Sequence, residues 1–218
     1  MKKPETRFYR HYKNKPYKLL GTARHSETLE ELACYESLYS NPLGTLWVRP
    51  KEMFFEEVLI DGKKRPRFEK VEFNFLHFEH LTDSQWSEIA EIFESAFLEK
   101  FDISTAKKKV DCYRKIHAII CYDGQRPVGF KVGYANGEDK FYSWLGGVSA
   151  DHQKLGIASS MMYEMLTWAK QSDFRFVETK TMSKYREMIS LNLKWGFEIV
   201  GTEFESGSKL KVLMEKKL

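Results

Sequence analysis

The chain has little cysteine and no long apolar run. Cys34, Cys112 and Cys121 are its three cysteines, an odd number at spacings that fit neither a zinc ligand set nor a redox pair. A disulfide framework is excluded, and the three read as buried free thiols in a reducing compartment, hence a cytoplasmic protein. No stretch is apolar enough to span a bilayer, so no membrane role is expected. Met1-Lys2-Lys3-Pro4-Glu5-Thr6-Arg7 leads into aromatic and basic residues rather than an apolar core, which predicts no secretory leader. There is no internal repeat and no low-complexity tract. With 42% hydrophobic residues in 218, the chain reads as globular, one large domain or two small ones.

What is present is unevenly distributed. The net charge is +4, and residues 1–70 hold 15 Lys and Arg against 10 Asp and Glu, while the remainder holds 20 against 21. The pattern changes near Lys70 as well, which predicts a small β-rich module over 1–70 and a larger domain over 71–218. Lys63-Lys64-Arg65-Pro66 is the predicted hinge, because proline interrupts pairing and the charges favour solvent.

Short aromatic strands are predicted in the first module at Arg7–Tyr12, Tyr17–Gly21, Leu32–Tyr35 and Leu46–Pro50. Basic residues interleaved with Phe8, Tyr9, Tyr12 and Tyr17 are what a single-stranded nucleic-acid platform needs. The same alternation describes any strand with one buried and one wet face, and that reading is the stronger. Arg24-His25-Ser26-Glu27-Thr28 is either a polar ligand site or a hydrogen-bonded hairpin, the hairpin favoured. The blocks Tyr9-Arg10-His11-Tyr12-Lys13, Arg24–Thr28 and Trp47–Phe54 resemble the bacterial domain of unknown function family 1653 over residues 6–68. That family implies no activity; the expected shape is a small SH3-like barrel.

From Val71 the element order is legible. Val71, Phe73 and Phe75 alternate as a strand, and Thr82-Asp83-Ser84-Gln85 is a capping box before the helical spacing Trp86, Ile89, Ala90, Phe93, Phe97. A polar helix is predicted over Ser104–Arg114, then strands over Ile116–Tyr122, Pro127–Tyr134 and Phe141–Val148. A helix, a strand over Arg175–Thr181, a helix and two closing strands follow, an α+β order βααβββαβαββ.

The run Leu145-Gly146-Gly147-Val148-Ser149-Ala150-Asp151-His152-Gln153-Lys154-Leu155-Gly156-Ile157-Ala158-Ser159 reads as a strand end, a tight turn and a helix start. Unpaired amides and the positive helix end suit a pyrophosphate, and a glycine lets an anion approach the backbone. Gln153-x-x-Gly156-x-Ala158 resembles motif A of the GNAT N-acetyltransferases, and Leu191–Phe197 resembles that family's Leu-x-x-x-x-Gly-Phe ending. The resemblance covers about residues 71–218. It implies the GNAT fold, a mixed, mostly antiparallel sheet flanked by helices, and acetyl-CoA as acetyl donor, with no metal. It assigns the backbone of Gly146, Gly147 and Val148 to the pantetheine arm, and Gln153, Lys154, Leu155, Gly156, Ile157, Ala158 and Ser159 to the pyrophosphate turn. Consecutive glycines also predict a bulge at Gly146-Gly147 that splays two strands. Homodimers through the closing strands are a further implication.

Catalytic candidates are Glu178, Tyr185 and Tyr142. The family's cofactor-contacting asparagine and proton-donating tyrosine correspond to Tyr185 and Asn192 here, an exchange that removes the phenol from its usual place. Asn192 is then a cofactor contact, and Tyr185 or solvent supplies the acid. Glu178 is either a base acting through water or an ion-pair partner of Lys180 or a neighbouring lysine. Tyr142 and Trp144 share a strand face and either shape an acceptor pocket or pack on a helix. His77 and His80 point to opposite faces of a strand, His117 is isolated, and His152 is an exposed turn residue or touches a phosphate. Asp102, Glu203 and Glu205, in loops that would face the acceptor, suggest a cationic substrate. The expected function is acetyl transfer to a primary amine by direct attack. The alternatives are a non-catalytic acyl-CoA sensor and an adaptor binding nucleic acid or protein through the basic module.

Overall fold

The computed structural model describes residues 7–113, 115–205 and 209–218. The chain divides into two compact units: a smaller one up to Glu72, with which Lys154–Gly156 are grouped, and a larger one of Phe73–Gln153 and Ile157–Leu218. Among the described residues no helix is long and apolar enough to cross a membrane.

The smaller unit begins with β1 (Phe8–His11), β2 (Lys15–Arg24), β3 (Glu31–Ser37) and β4 (Leu46–Pro50), then a single turn of helix α1 (Lys51–Phe55), β5 (Glu57–Ile60), β6 (Lys63–Pro66) and β7 (Phe68–Lys70). Five of the strands form an antiparallel sheet in the order β4-β3-β2-β1-β7, so the last strand returns to pair with the first. Period-two alternation buries Ala33, Tyr35 and Ser37 on one face of β3. Tyr35 meets Phe54 and Phe68, whose rings stack at 4.2 Å. Aromatic rings carry this core, each worth roughly 1.5–3 kcal/mol on burial.

Two expectations for this unit are settled by hydrogen bonding. Lys63–Pro66 is not a hinge: it is β6, paired with β5 in a hairpin turned at Asp61-Gly62. Proline is compatible with pairing there because a two-stranded hairpin offers an edge that needs no donor. The segment at His25 is a hairpin turn, with His25 Nδ1 accepting from the amides of Glu27 (3.3 Å) and Thr28 (3.2 Å).

The larger unit runs β8 (Asn74–Phe78), α2 (Asp83–Phe97), α3 (Ile103–Asp111), β9 (Ile116–Asp123), β10 (Arg126–Ala135), β11 (Lys140–Val148), a 3-10 turn (Ala150–His152), α4 (Ile157–Gln171), β12 (Phe176–Met182), α5 (Arg186–Lys194), β13 (Glu198–Glu205) and β14 (Lys209–Lys217). Its seven-stranded sheet has the order β13-β14-β12-β11-β10-β9-β8, antiparallel except for the parallel β11–β12 pair. The α2 and α3 side chains Trp86, Ile89, Ile92, Ala106 and Val110 cover one face, on Ala118, Ile120, Phe130 and Val132. On the opposite face α4 buries Ile157, Met161, Met162, Met165, Leu166 and Ala169.

Thr82 caps α2 in a reciprocal box with Gln85. The strand expected to include Val71 and Phe73 starts only at Asn74; Val71 is buried, and its amide donates to the Phe8 carbonyl in the smaller unit. The predicted end of the second helix at Arg114 lies outside the described residues, and α3 runs Ile103–Asp111. Asp102 is that helix's N-cap, accepting from the Thr105 amide at 3.0 Å, so its carboxylate has a structural task in place of the suggested substrate contact. Cys121 is buried, but Cys34 is half-buried and Cys112 exposed, so only one thiol is a core residue.

Candidate active site

The site begins where two strands part. β11 and β12 pair only at Lys140↔Phe176, Phe141↔Val177 and Tyr142↔Glu178. Beyond that point β12 continues against β14 and β11 against β10, leaving a fork between them. The hydroxyl of Thr179 donates to the Ser143 carbonyl at 2.9 Å at the vertex. The irregularity lies at Trp144, not at Gly146-Gly147: Gly133 pairs with Ser143 and Val132 with Leu145, leaving Trp144 as the extra residue. A bulge bends its strand, and here Trp144 and Leu145 both pack on the α2–α3 side. The glycines answer to packing instead. A Cβ on Gly147 would stand 3.1 Å from the Phe130 and Phe97 rings.

The β11 edge facing the fork carries free donors. Ser149 donates its amide to Val128 across the ladder, so by antiparallel alternation the amides of Val148 and Gly146 point the other way, into the fork. Gln153 closes the following turn by donating its side-chain amide to the Val148 carbonyl at 3.3 Å. Lys154 (φ 64°) and Gly156 (φ 85°) are left-handed, a conformation that favours glycine. From Ile157 a 15-residue helix begins, and the amides of Ile157, Ala158 and Ser159 have no partner within it. The larger unit therefore presents two strand amides, then the positive end of a helix dipole.

His152 is buried, contrary to expectation. Its Nδ1 lies 2.8 Å from Asp151 Oδ1 and its Nε2 3.0 Å from Asp123 Oδ2, while Arg126 holds the other Asp151 oxygen at 2.7 Å. This imidazole anchors the turn and is sealed from a phosphate. His117 is not isolated: its Nε2 lies 3.2 Å from His77 Nδ1 and its ring stacks on Trp168 at 3.8 Å. His80 lies outside β8, so the opposite-faces argument for His77 and His80 does not apply.

Tyr142 and Glu178 are sheet neighbours at the vertex. Glu178 accepts from Lys140 Nζ at 2.6 Å and Asn136 Nδ2 at 3.1 Å, and Lys180 pairs with Glu203, so its partner is Lys140 and not Lys180. Burial raises the Glu178 pKa, but the Lys140 and Asn136 contacts outweigh it and hold the carboxyl below its usual range. Such a carboxylate is a weak base. The Tyr142 phenol is pushed up to about 12 by burial and by the Glu203 and Glu178 carboxylates, so it stays protonated near neutrality. Tyr134 lies 5.3 Å from Tyr142 and 6.2 Å from Trp144, completing an aromatic cluster on the α2–α3 face.

Tyr185 caps the start of α5, and its ring is 5.6 Å from that of Phe97. Phe97 also bounds Gly147, so Tyr185 is brought to the open end of the fork. Asn192 is not. It is 0% exposed, with Nδ2 donating to Thr181 Oγ1 at 3.4 Å, and a side chain with no accessible surface touches no ligand in this arrangement. Its position on the inward face of α5, under β12 and β14, is the physical reason.

Sequence reasoning missed Lys131. It sits on β10 between Phe130 and Val132, 7% exposed, and burial pushes its pKa down to about 8. A lysine inside the apolar run Val128–Tyr134 was the available signal.

A strand fork leading to a helix N-terminus recurs in known proteins. The profile described as "Acetyltransferase (GNAT) family" matches residues 86–197, half of the chain. The chain belongs to the GNAT acetyltransferase family. Residues 7–70 match "Protein of unknown function (DUF1653)". No curated protein sequence matches the chain. Among solved structures, the ribosomal-protein-S18-alanine N-acetyltransferase from Escherichia coli superposes with TM-score 0.57 at 12% identity, over 66% of this chain and 94% of that one. Ard1 from Thermoplasma volcanium gives 0.56 at 16%, over 66% and 97%. The NatC complex bound to Gag peptide and CoA gives 0.56 at 13%, over 66% and 98%. At such identities the likeness is one of fold. The GNAT family uses acetyl-CoA, and this member is an acetyltransferase with a β-rich unit ahead of the catalytic fold.

Proposed function

We propose that the protein transfers acetyl from acetyl-CoA to a primary amine by direct attack in a ternary complex. The observation that carries this reading is the fork itself, with its two inward strand amides and the α4 N-terminus beyond. Gly146 and Val148 would donate to the pantetheine amides, and Ile157, Ala158 and Ser159 to the pyrophosphate. The amide of Val148 would also stabilise the oxyanion formed when the thioester carbonyl is attacked. Holding thioester and amine together removes much of the entropic barrier.

An acceptor amine must be neutral to attack, and a lysine-like ammonium is only about one part in a thousand deprotonated near neutrality. Glu178, held ionised by Lys140 and Asn136, is suited to attracting an ammonium to the vertex more than to stripping its proton. Tyr142 and Trp144 would line the acceptor side. Tyr185 would close the far end, near the thioester arm. The same weakness of Glu178 as a base favours the non-catalytic sensor as second reading.

Thermal unfolding with acetyl-CoA, CoA or neither tests the site. Binding to the folded state alone stabilises by about 2.7 kcal/mol at a hundredfold excess over Kd. The expected result is a rise in wild type that Gly156→Glu loses; no rise at millimolar acetyl-CoA overturns the reading. Thioester consumption with a panel of primary amines then separates transferase from sensor.

A further inference from the structure

The buried lysine on β10 has no structural counterpart. The Lys131 side chain takes part in no hydrogen bond or ion pair among the described residues. Burying an ammonium without a counter-ion is strongly unfavourable, and folds that do so commonly use the group.

Its surroundings say what for. Lys131 is the register partner of Gly146 on β11, and its Cγ lies 3.5 Å from where a Cβ on that glycine would stand. The stem therefore leans over Gly146, toward the β11 edge that faces the fork. Gly129, two residues before it on the same face, touches Ile157 and Met161 of α4, so this side of the sheet is roofed by apolar residues. The titratable groups facing from β9 are Cys121, whose thiol burial pushes up, and His117, which burial and His77 push down to about 3. From α4 comes Glu164, which lies against His77.

We propose that Lys131 is a catalytic residue whose ammonium receives the negative charge of the departing thiolate and protonates its sulfur. This rests on the acetyl-CoA reading of the fork. A neutral amine attacks the thioester carbon and forms the N–C bond. The C–S bond then breaks with its electron pair going to sulfur. One proton passes from Lys131 Nζ to the sulfur, the new amide gives its extra proton to water, and Lys131 is reprotonated by water. Amine and thioester become amide and thiol.

The acidity is well matched. Lys131, at about 8, stands close to a thiol of about 8.5, so transfer between them is nearly balanced. Tyr142, at about 12, is a poorer donor, and the Asn192 amide cannot serve.

The test is the ionisation of CoA on the protein, followed by thiolate absorbance against pH in wild type, Lys131→Arg and Lys131→Met, with Kd for CoA and acetyl-CoA measured in parallel. Bound CoA should ionise at lower pH than free CoA in wild type and the arginine variant, but not in the methionine variant. Lys131→Met should also weaken CoA relative to acetyl-CoA by about tenfold near pH 8, where ammonium and thiolate coexist, the order expected for a hydrogen bond to a charged group. Its affinity for acetyl-CoA, which has no thiolate, should change less than about twofold, and Lys131→Gln serves as a second neutral variant if methionine fails to fold. Identical CoA ionisation and affinity ratio in wild type and the neutral variants overturns the role of Lys131 while leaving the site standing. Failure of wild type to bind acetyl-CoA overturns both.

Discussion

A side chain's chemistry is set by its partners more than by its type. Lys131 is the clearest case. Burial lowers its pKa from 10.5 to about 8, so below pH 8 the folded state carries a penalty on the order of 3 kcal/mol. Between pH 8 and about 10.5 the unfolded chain binds the extra proton, and stability should rise with pH through that window. Chemical denaturation at pH 7 and pH 10 should show wild type gaining relative to Lys131→Met, which is expected to be the more stable at pH 7. Glu178 has the opposite sign. Its carboxyl is held below the usual range, so its contribution is present above the unfolded carboxylate pKa and is lost as pH falls through the folded one. Glu178→Gln should cost about 0.5–1 kcal/mol near neutrality, since the pair is partly exposed and screened, and the difference should vanish in acid. An undiminished gap in acid would show that the carboxylate's charge is not what stabilises.

Elements were legible where their signals are local. The Thr82–Gln85 capping box, the α2 spacing and the order βααβββαβαββ are read directly from the chain, because a helix end and a buried strand face are each written over a few residues. Thr82→Ala should cost about 1 kcal/mol in a denaturation experiment. The β6 strand was not legible: Lys63–Pro66 looks like a hinge until β5 supplies its partner. The bulge at Trp144 was not legible either, since register is a property of two strands and the conspicuous glycines lie two residues later. Gly147→Val tests the packing role. It adds atoms at 3.1 Å from Phe130 and Phe97, and is expected to weaken acetyl-CoA by about tenfold or more while lowering the melting temperature.

At the scale of the molecule, two units with separate cores meet the requirement for separate folding. Calorimetry should resolve two transitions, of which acetyl-CoA raises the one belonging to the larger unit; a single transition shifted as a whole would refute that independence. The smaller unit carries the positive excess of the sequence, 15 basic against 10 acidic residues over 1–70. If single-stranded nucleic acid is its ligand, affinity must fall steeply with salt, and flat, weak binding returns the aromatic–basic alternation to its ordinary meaning as a strand with one wet face.

The sequence by itself determined the family, the order of elements and the turn at Gln153–Gly156 that leads into α4, because those depend on spacing along one chain. Tertiary structure decided which of the candidate side chains can act. Asn192 is sealed under β12 and β14, Glu178 is committed to Lys140, His152 is locked between two aspartates, and Lys131 is left as a buried cation beside the fork. Each outcome depends on strands and helices far apart in sequence, and a partner's distance or a loss of solvent exists only once they pack.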